Sequence, residues 1–339
     1  MKNRIIFFDR LRVVAAFAVI VLHCCAQYFH TPLQADQWIT INIYDSLTRW
    51  SVPIFFMISG ALFLNPDKQI DIKKLYSKNI LRIIIAFLFW SFIYAIPYML
   101  NHKGYSLILS GPFHFWFLKT LIGLYIMIPI FKIIVSKKQI EEYFILISFI
   151  AGSLFCFTND FIGTLNTYAQ TRIGLIIGGI GIKNISVYCL YFVLGHYLTK
   201  YSIEKYTKSI YLASTISFIL VPLLIHIHSC FSGEHIDLYY SNSNPLIVIE
   251  SIAVYLFFMK NASKQYKTDT LILRLSKYSF GIFIVHILVM NILNKILEIV
   301  HFSIDYIFYV PLYSLLTFII SGIIIAVLHK IPFVNRWLI

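Results

Sequence analysis

The chain has 339 residues, 59% of them hydrophobic and 13% charged, with a mean hydropathy of +0.78. A soluble domain carries about twice that charge, so a soluble fold is excluded and a polytopic membrane protein with little soluble mass is expected. The formal charge of +13 is no argument for nucleic acid, because the basic residues gather at the ends of apolar segments, where topology and anionic headgroups account for them.

The first apolar segment, Phe8 to Tyr28, reads FDRLRVVAAFAVIVLHCCAQY. Asp9, Arg10 and Arg12 open it, and His23 lies inside it. Eleven residues of α-helix advance about 16 Å and turn about 1100°, three turns plus about 20°. Arg12 and His23 therefore share one face, the arginine at a membrane boundary and the imidazole about half-way across. An ionisable residue at that depth is by default a functional-site hypothesis; the plainer reading is a buried histidine bonded to a neighbouring helix. No small-x-small cleavage site follows His23, so the segment is expected to be retained.

Apolar runs of about 15–25 residues place ten spans. They cover roughly 11–28, 47–64, 80–99, 115–135, 142–158, 185–199, 209–226, 246–260, 279–299 and 307–329. Phe161 to Ile182, between the fifth and sixth, is partly apolar and reads as a re-entrant or interfacial element. No repeat, low-complexity tract or linker divides the chain, which reads as one domain, 1–339. With a cytoplasmic N-terminus, all of the 28 basic residues except Arg49, Lys103, Lys119, Arg172, Lys183 and Lys295 fall on the inner side. That alternation follows the positive-inside rule. The expected fold is an all-α polytopic membrane protein of about ten transmembrane helices with both termini cytoplasmic. His30, His102, His235 and His301 fall in outer loops and read as solvated surface. Cys24, Cys25, Cys156, Cys189 and Cys230 lack zinc-ligand or redox spacing and read as reduced thiols, mostly in the core.

Candidate chemistry lies at a few positions. Ser59 and Gly60 stand near the inner end of the second span, where small residues ordinarily mark close helix packing. Lys78 and Arg82, four apart at the inner start of the third, share a face. Such a pair can serve topology alone, or it can hold a phosphate-bearing ligand. The fourth span opens with His114, Trp116 and Lys119 and continues to Tyr125 and Pro129. Aromatic-belt behaviour and a snorkelling lysine explain this group as well as an acceptor site does. His286 in the ninth span matches the depth of His23, whereas His196 and His329 read as interfacial. Glu250 enters near the outer end of the eighth span, a candidate partner for Lys119, Lys295 or a sugar hydroxyl. The sequence has no phosphate-binding glycine loop, nucleotide fingerprint or metal-ligand helix pattern, and no Gly-x-Ser-x-Gly elbow.

Taken together, these residues resemble the acyltransferase-3 family of integral-membrane O-acyltransferases. The resemblance runs through Asp9-Arg-Leu-Arg12 and ten further residues to His23, Phe55-Phe-Met-Ile-Ser59-Gly60, Arg82-Ile, and Trp116-Phe-Leu leading to Tyr125 and Pro129. It continues in Tyr191-Phe-Val-Leu-Gly195, Ser279-Phe-Gly-Ile-Phe-Ile-Val-His286 and Lys330-Ile-Pro. Leu121 and Ile122 stand where one large branch carries acidic residues, so the chain is more similar to the enterobacterial common antigen acetyltransferase branch. The resemblance implies transfer of an acyl group, usually acetyl, from cytoplasmic acetyl-CoA, without a metal, to a hydroxyl of an envelope glycan or lipid-linked sugar. It implies a bacterial inner membrane and no nucleic-acid partner.

On that footing Arg12, Lys78 and Arg82 would hold the donor phosphates. A pantetheine arm of about 15–20 Å, from extended-chain reach, would carry the thioester to His23. His23 would act as general base or transient nucleophile, with Arg12 and His286 completing the catalytic set. Ser59 and Tyr125 would donate to the thioester oxygen. His114, Trp116, Lys119 and Glu250 would line the acceptor site, and Lys119 is the one intramembrane cation that a succinyl carboxylate would want. The competing readings are a transporter or flippase for a lipid-linked sugar, since buried ionisable groups also mark transport paths, and a structural subunit of an envelope-assembly complex.

Overall fold

A computed structural model describes residues 5–66, 69–101, 104–165, 170–171, 174, 187–262, 264, 266–300 and 304–339. All regular structure among them is helical. The helices are α1 (Ile6–Ala26), α2 (Asp36–Ser46), α3 (Ser51–Phe63), α4 (Ile72–Met99), α5 (Trp116–Ile126), α6 (Ile128–Ile134) and α7 (Lys138–Leu165). There follow α8 (Val187–Lys200), α9 (Glu204–Ser232), α10 (Pro245–Lys260), α11 (Asp269–Val300), α12 (Tyr306–Leu328) and α13 (Pro332–Trp337). A short helix, Gly104–Ser110, and a 3₁₀ turn, Phe113–Phe115, lead into α5.

Eight helical stretches among the described residues are long and apolar enough to cross a membrane, against the ten expected. The two that fall short are α1, whose 21 residues include Asp9, Arg10 and Arg12, and α8, with 14 residues. Most of Phe161 to Ile182 lies outside the described residues, as do Lys2, Arg4, Lys68, His102, Lys103, Arg172, Lys183 and His301.

The bundle is built for an apolar solvent. In α9 the buried positions are Ser214, Ser217, Val221, Ile225 and Ser229, a single helical stripe, while Leu212, Ile216, Ile219, Leu223 and Ile227 face outwards. In α12, Ser314, Thr317 and Ser321 point inwards, with Leu312, Leu315, Ile319 and Ile323 outside. This inverts the soluble pattern: small and hydroxylated residues let membrane helices approach, and bulky aliphatics meet lipid. The central helix is α1, buried on nearly every side and packed against α3, α11 and α12.

The most intimate crossing is α3 on α8. A Cβ built on Gly60 would land inside the Phe192 carbonyl, and one on Gly195 inside the Met57 carbonyl. Both helices approach to backbone contact through reciprocal glycines, so Gly60 is the packing element that its small size suggested. Two expectations are corrected, an interfacial place for His196 and a solvated one for His235. His196 is buried, its Nδ1 2.7 Å from Oε1 of buried Glu141. His235 packs edge-on against Trp38, with Nε2 2.8 Å from the Thr31 carbonyl. None of the five cysteines forms a disulfide among the described residues; Cys24 and Cys25 are buried, and Cys230 is exposed.

Gly60→Ala should lower the thermal stability of the detergent-solubilised protein, at a cost of about 1–3 kcal/mol, the usual penalty of overpacking. Gly123→Ala, where the added methyl meets nothing within 4 Å, should leave stability unchanged or slightly raised. Equal melting temperatures for wild type and Gly60→Ala would contradict the backbone contact.

Candidate active site

The first turns of α1 carry three charges with three different jobs. Arg10 turns away from the bundle axis and grips the α10–α11 connection. Its Nε and Nη2 donate to the two carboxylate oxygens of Asp269 at 3.0 and 2.8 Å. Nη1 donates to the Asn261 carbonyl at 3.0 Å, Nη2 also reaches the Lys264 carbonyl, and the guanidinium lies 4.5 Å from the Tyr266 ring centre. Asp9, 1% exposed, accepts from the Ser276 hydroxyl at 2.6 Å and lies 3.7 Å from Arg12. Arg12 is thereby held at a chamber wall.

That chamber has a volume of about 620 Å³ and is bounded by α1, α3, α4, α5, α11 and α13. Five basic side chains, Arg12, Lys74, Lys78, Arg82 and Arg336, line it, and no carboxylate does among the described residues. Its inner wall is apolar, with Phe55, Ile58, Phe117, Leu121 and Phe283. A cavity with concentrated positive charge at one end and an apolar wall suits an anionic headgroup on a long, mostly uncharged arm. Arg82 is not wholly available to a ligand, since its guanidinium donates to the Ile339 carbonyl while Trp90 holds the Leu338 carbonyl at 2.9 Å. Ser59 and Tyr125 are in hydrogen-bonding reach of each other, and the Ser59 hydroxyl donates to the Phe55 carbonyl at 2.8 Å. Arg12 and Arg82 are close enough to act electrostatically on Tyr125, so this pair belongs to the basic end rather than beside His23.

Phe283 connects the chamber to the imidazoles. Its ring is 5.1 Å from Phe117, 5.8 Å from His114 and 5.9 Å from His286. Beyond it, three histidines from three helical elements converge. His23 of α1 and His286 of α11 have ring centres 5.2 Å apart. His114, from the 3₁₀ turn before α5, is 5.4 Å from His286 and 6.3 Å from His23. The Nδ1–H of His286 donates to the Phe283 carbonyl at 2.6 Å, which fixes the tautomer. Its Nε2 is left as a bare lone pair, buried and without a partner among the described residues. Neither ring nitrogen of His114, itself 1% exposed, has a hydrogen-bond partner there. His23 is half-buried. Buried polar atoms are normally satisfied, so the unpartnered nitrogens of His114 and His286, set beside His23, mark a place for a ligand or a proton.

Of the expected site residues, the structure gathers Arg12, Lys78, Arg82, Ser59 and Tyr125 on the chamber wall and His23, His286 and His114 in the cluster. The grouping of His114 with Trp116 and Lys119 separates, because two residues turn a helix by about 200°. Trp116 packs on Tyr188 at 5.3 Å, and Lys119 Nζ is 3.1 Å from the Ser110 carbonyl. Glu250 is also set apart: it is buried and accepts from the Ser217 hydroxyl at 2.9 Å, not from Lys119 or Lys295. Lys74, Asn79, Arg336 and Trp337 complete the chamber without having been singled out. Arg336 comes from the far end of the chain, where a lone basic residue reads as topology. No group of three or more His, Cys, Asp or Glu side chains among the described residues is arranged to hold a metal ion.

A family model described as an acyltransferase domain matches residues 5–326. No curated protein and no solved structure gives a significant match to the chain.

If Arg10 and Asp269 hold α1 in register, Arg10→Ala and Asp269→Ala should each lower the apparent melting temperature, and the double variant should lose less than the two losses added. Strict additivity would show that the pair does not act as a unit.

Proposed function

The chain belongs to the acyltransferase-3 family, and on that premise we propose that it transfers an acyl group, acetyl in the first instance, from cytoplasmic acyl-CoA to a hydroxyl of a cell-envelope carbohydrate or glycolipid. The observation that carries this reading is the continuity from a carboxylate-free basic chamber to three clustered imidazoles. The basic face is the cytoplasmic one in this reading, with both termini inside a bacterial inner membrane, in keeping with the charge alternation of the loops.

Arg12, Lys78 and Arg336 bind the donor phosphates, with Lys74 at the mouth. Arginine offers forked donors to phosphate, and lysine a mobile point charge. Ser59 and Tyr125, beside the cations, hold the donor near the headgroup rather than at the thioester oxygen. The pantetheine arm follows the apolar wall towards Phe283, over the rise of about 16 Å that eleven helical residues supply. His23 then serves as general base. The acceptor hydroxyl gives its proton to the imidazole as its oxygen bonds the thioester carbonyl carbon. The carbon–sulfur bond breaks, and the imidazolium returns the proton to the departing thiolate. The fixed tautomer of His286 presents an acceptor nitrogen to this cluster and suits it to orient the hydroxyl.

Radiolabelled acetyl transfer in membrane vesicles tests the proposal. His23→Ala should fold, insert and still bind acetyl-CoA, yet lose about 10²–10⁴-fold in rate, the usual contribution of a positioned base. Full activity in that variant would sink the mechanism. Lys78→Ala should raise the KM for acetyl-CoA about tenfold or more, as removal of a charge-assisted contact does, with kcat nearly unchanged. Arg82→Ala should do less, because part of its bonding capacity is already taken by Ile339.

A further inference from the structure

At the other end of α1 lies a second cavity, about 640 Å³ in volume. Ala26 on its wall is one helical turn beyond His23, and Arg49 on the same wall is close enough to act electrostatically on His23. Asp45 and Arg49 flank the turn between α2 and α3; Asp160 comes from α7, and Asp237 and Tyr240 from the segment before α10. The size falls within the range of small-molecule sites, about 300–1,000 Å³. Its chemistry is the reverse of the basic chamber's, with three carboxylates against a single guanidinium.

This wall is built rather than merely acidic. Asp45 is 1% exposed, and one of its oxygens pairs with Arg49 Nη2. The other, Oδ1, is buried without a partner among the described residues, and so is Arg49 Nε. The guanidinium sits 3.9 Å from the centre of the Tyr240 ring, whose hydroxyl donates to Asn42 Oδ1 at 2.7 Å. An ion pair with an unused acceptor on one partner and an unused donor on the other is matched to vicinal hydroxyls, which donate and accept at once. The rings of Phe29 and Tyr240, 6.1 Å apart, offer apolar faces to the C–H side of a sugar.

Resting on the acyltransfer reading above, we propose that this cavity seats the acyl acceptor and that its charge selects the acceptor's class. The ligand is a neutral or amine-bearing polyhydroxylated sugar headgroup, and anionic sugars are rejected by Asp45, Asp160 and Asp237. A hydroxyl of the seated sugar then reaches His23 from the side opposite the thioester. The expected acceptor residues Trp116, Lys119 and Glu250 play no part in it.

The test uses the full chain in nanodiscs and three soluble probes: methyl N-acetylglucosaminide, methyl glucosaminide and methyl glucuronide. Wild type should bind the neutral and the amino glycoside at least tenfold more tightly than the uronide. Asp160 and Asp237 are exposed and tolerate substitution, so Asp160→Asn combined with Asp237→Asn should cut that preference about tenfold. Arg49→Lys, which keeps the ion pair and loses the fork, should weaken all three glycosides. Acetyl-CoA affinity is measured alongside. If it is absent, the acyltransfer reading fails, whatever the glycosides do. Equal or tighter binding of the uronide, binding of none of the three, or a preference untouched by the double asparagine variant would each overturn the acceptor assignment while acetyl-CoA still binds.

Discussion

The fork between Arg10 and Asp269 is the constraint from which the rest follows. A guanidinium with donors committed to one carboxylate and two backbone carbonyls fixes the rotation of α1 about its own axis. Once that rotation is set, Arg12 points to the basic chamber with Asp9 beside it. Eleven residues on, the same face carries His23 to meet His114 and His286. A rotation of α1 by one residue, about 100°, would take both side chains off the path at once. Two arginines separated by one residue thus have opposite roles, and the one in the tether positions the one in the chamber.

Around α1 the bundle follows the logic of a bilayer. Hydroxyls and glycines face inwards, and aliphatic side chains face lipid. The glycine-to-carbonyl crossing holds α3 against α8, while Phe55, Ile58 and Ser59 of α3 line the chamber. Several buried groups lack a hydrogen-bond partner among the described residues, Ser91, Ser314 and Thr317 among them; those of His114 and His286 differ in lying together, with ring centres 5.4 Å apart and both beside His23.

How much of this was legible beforehand depended on whether a signal was local. The Arg12–His23 relation was readable, because helical periodicity acts within one segment. Lys78 and Arg82 were readable as a pair for the same reason, and the matched depth of His286 followed from counting residues into a span. What escaped depended on contacts distant in sequence. Arg10 and Asp269 are 259 residues apart, and Arg336 reaches the chamber from the last helix. His114, Trp116 and Lys119 are close in sequence but not gathered in space, because the turn between them points their side chains to different neighbours. Glu250 meets Ser217 on the neighbouring helix rather than Lys119 or Lys295, a contact that its own segment does not announce.

The molecule therefore has two openings of opposite charge at opposite ends of one helix, with three imidazoles between them. In the proposed reaction donor and acceptor need not share a compartment, since a thioester entering along the apolar wall and a hydroxyl entering from the acidic cavity would meet at His23. The most direct measurement is a sidedness assay with the protein reconstituted in a single orientation and impermeant radiolabelled acetyl-CoA supplied on one face at a time. Label should reach a glycan acceptor only when acetyl-CoA is on the Arg12 face and the acceptor on the other. Transfer that is equally fast with the faces exchanged, or that requires donor and acceptor on the same face, would contradict a path through α1.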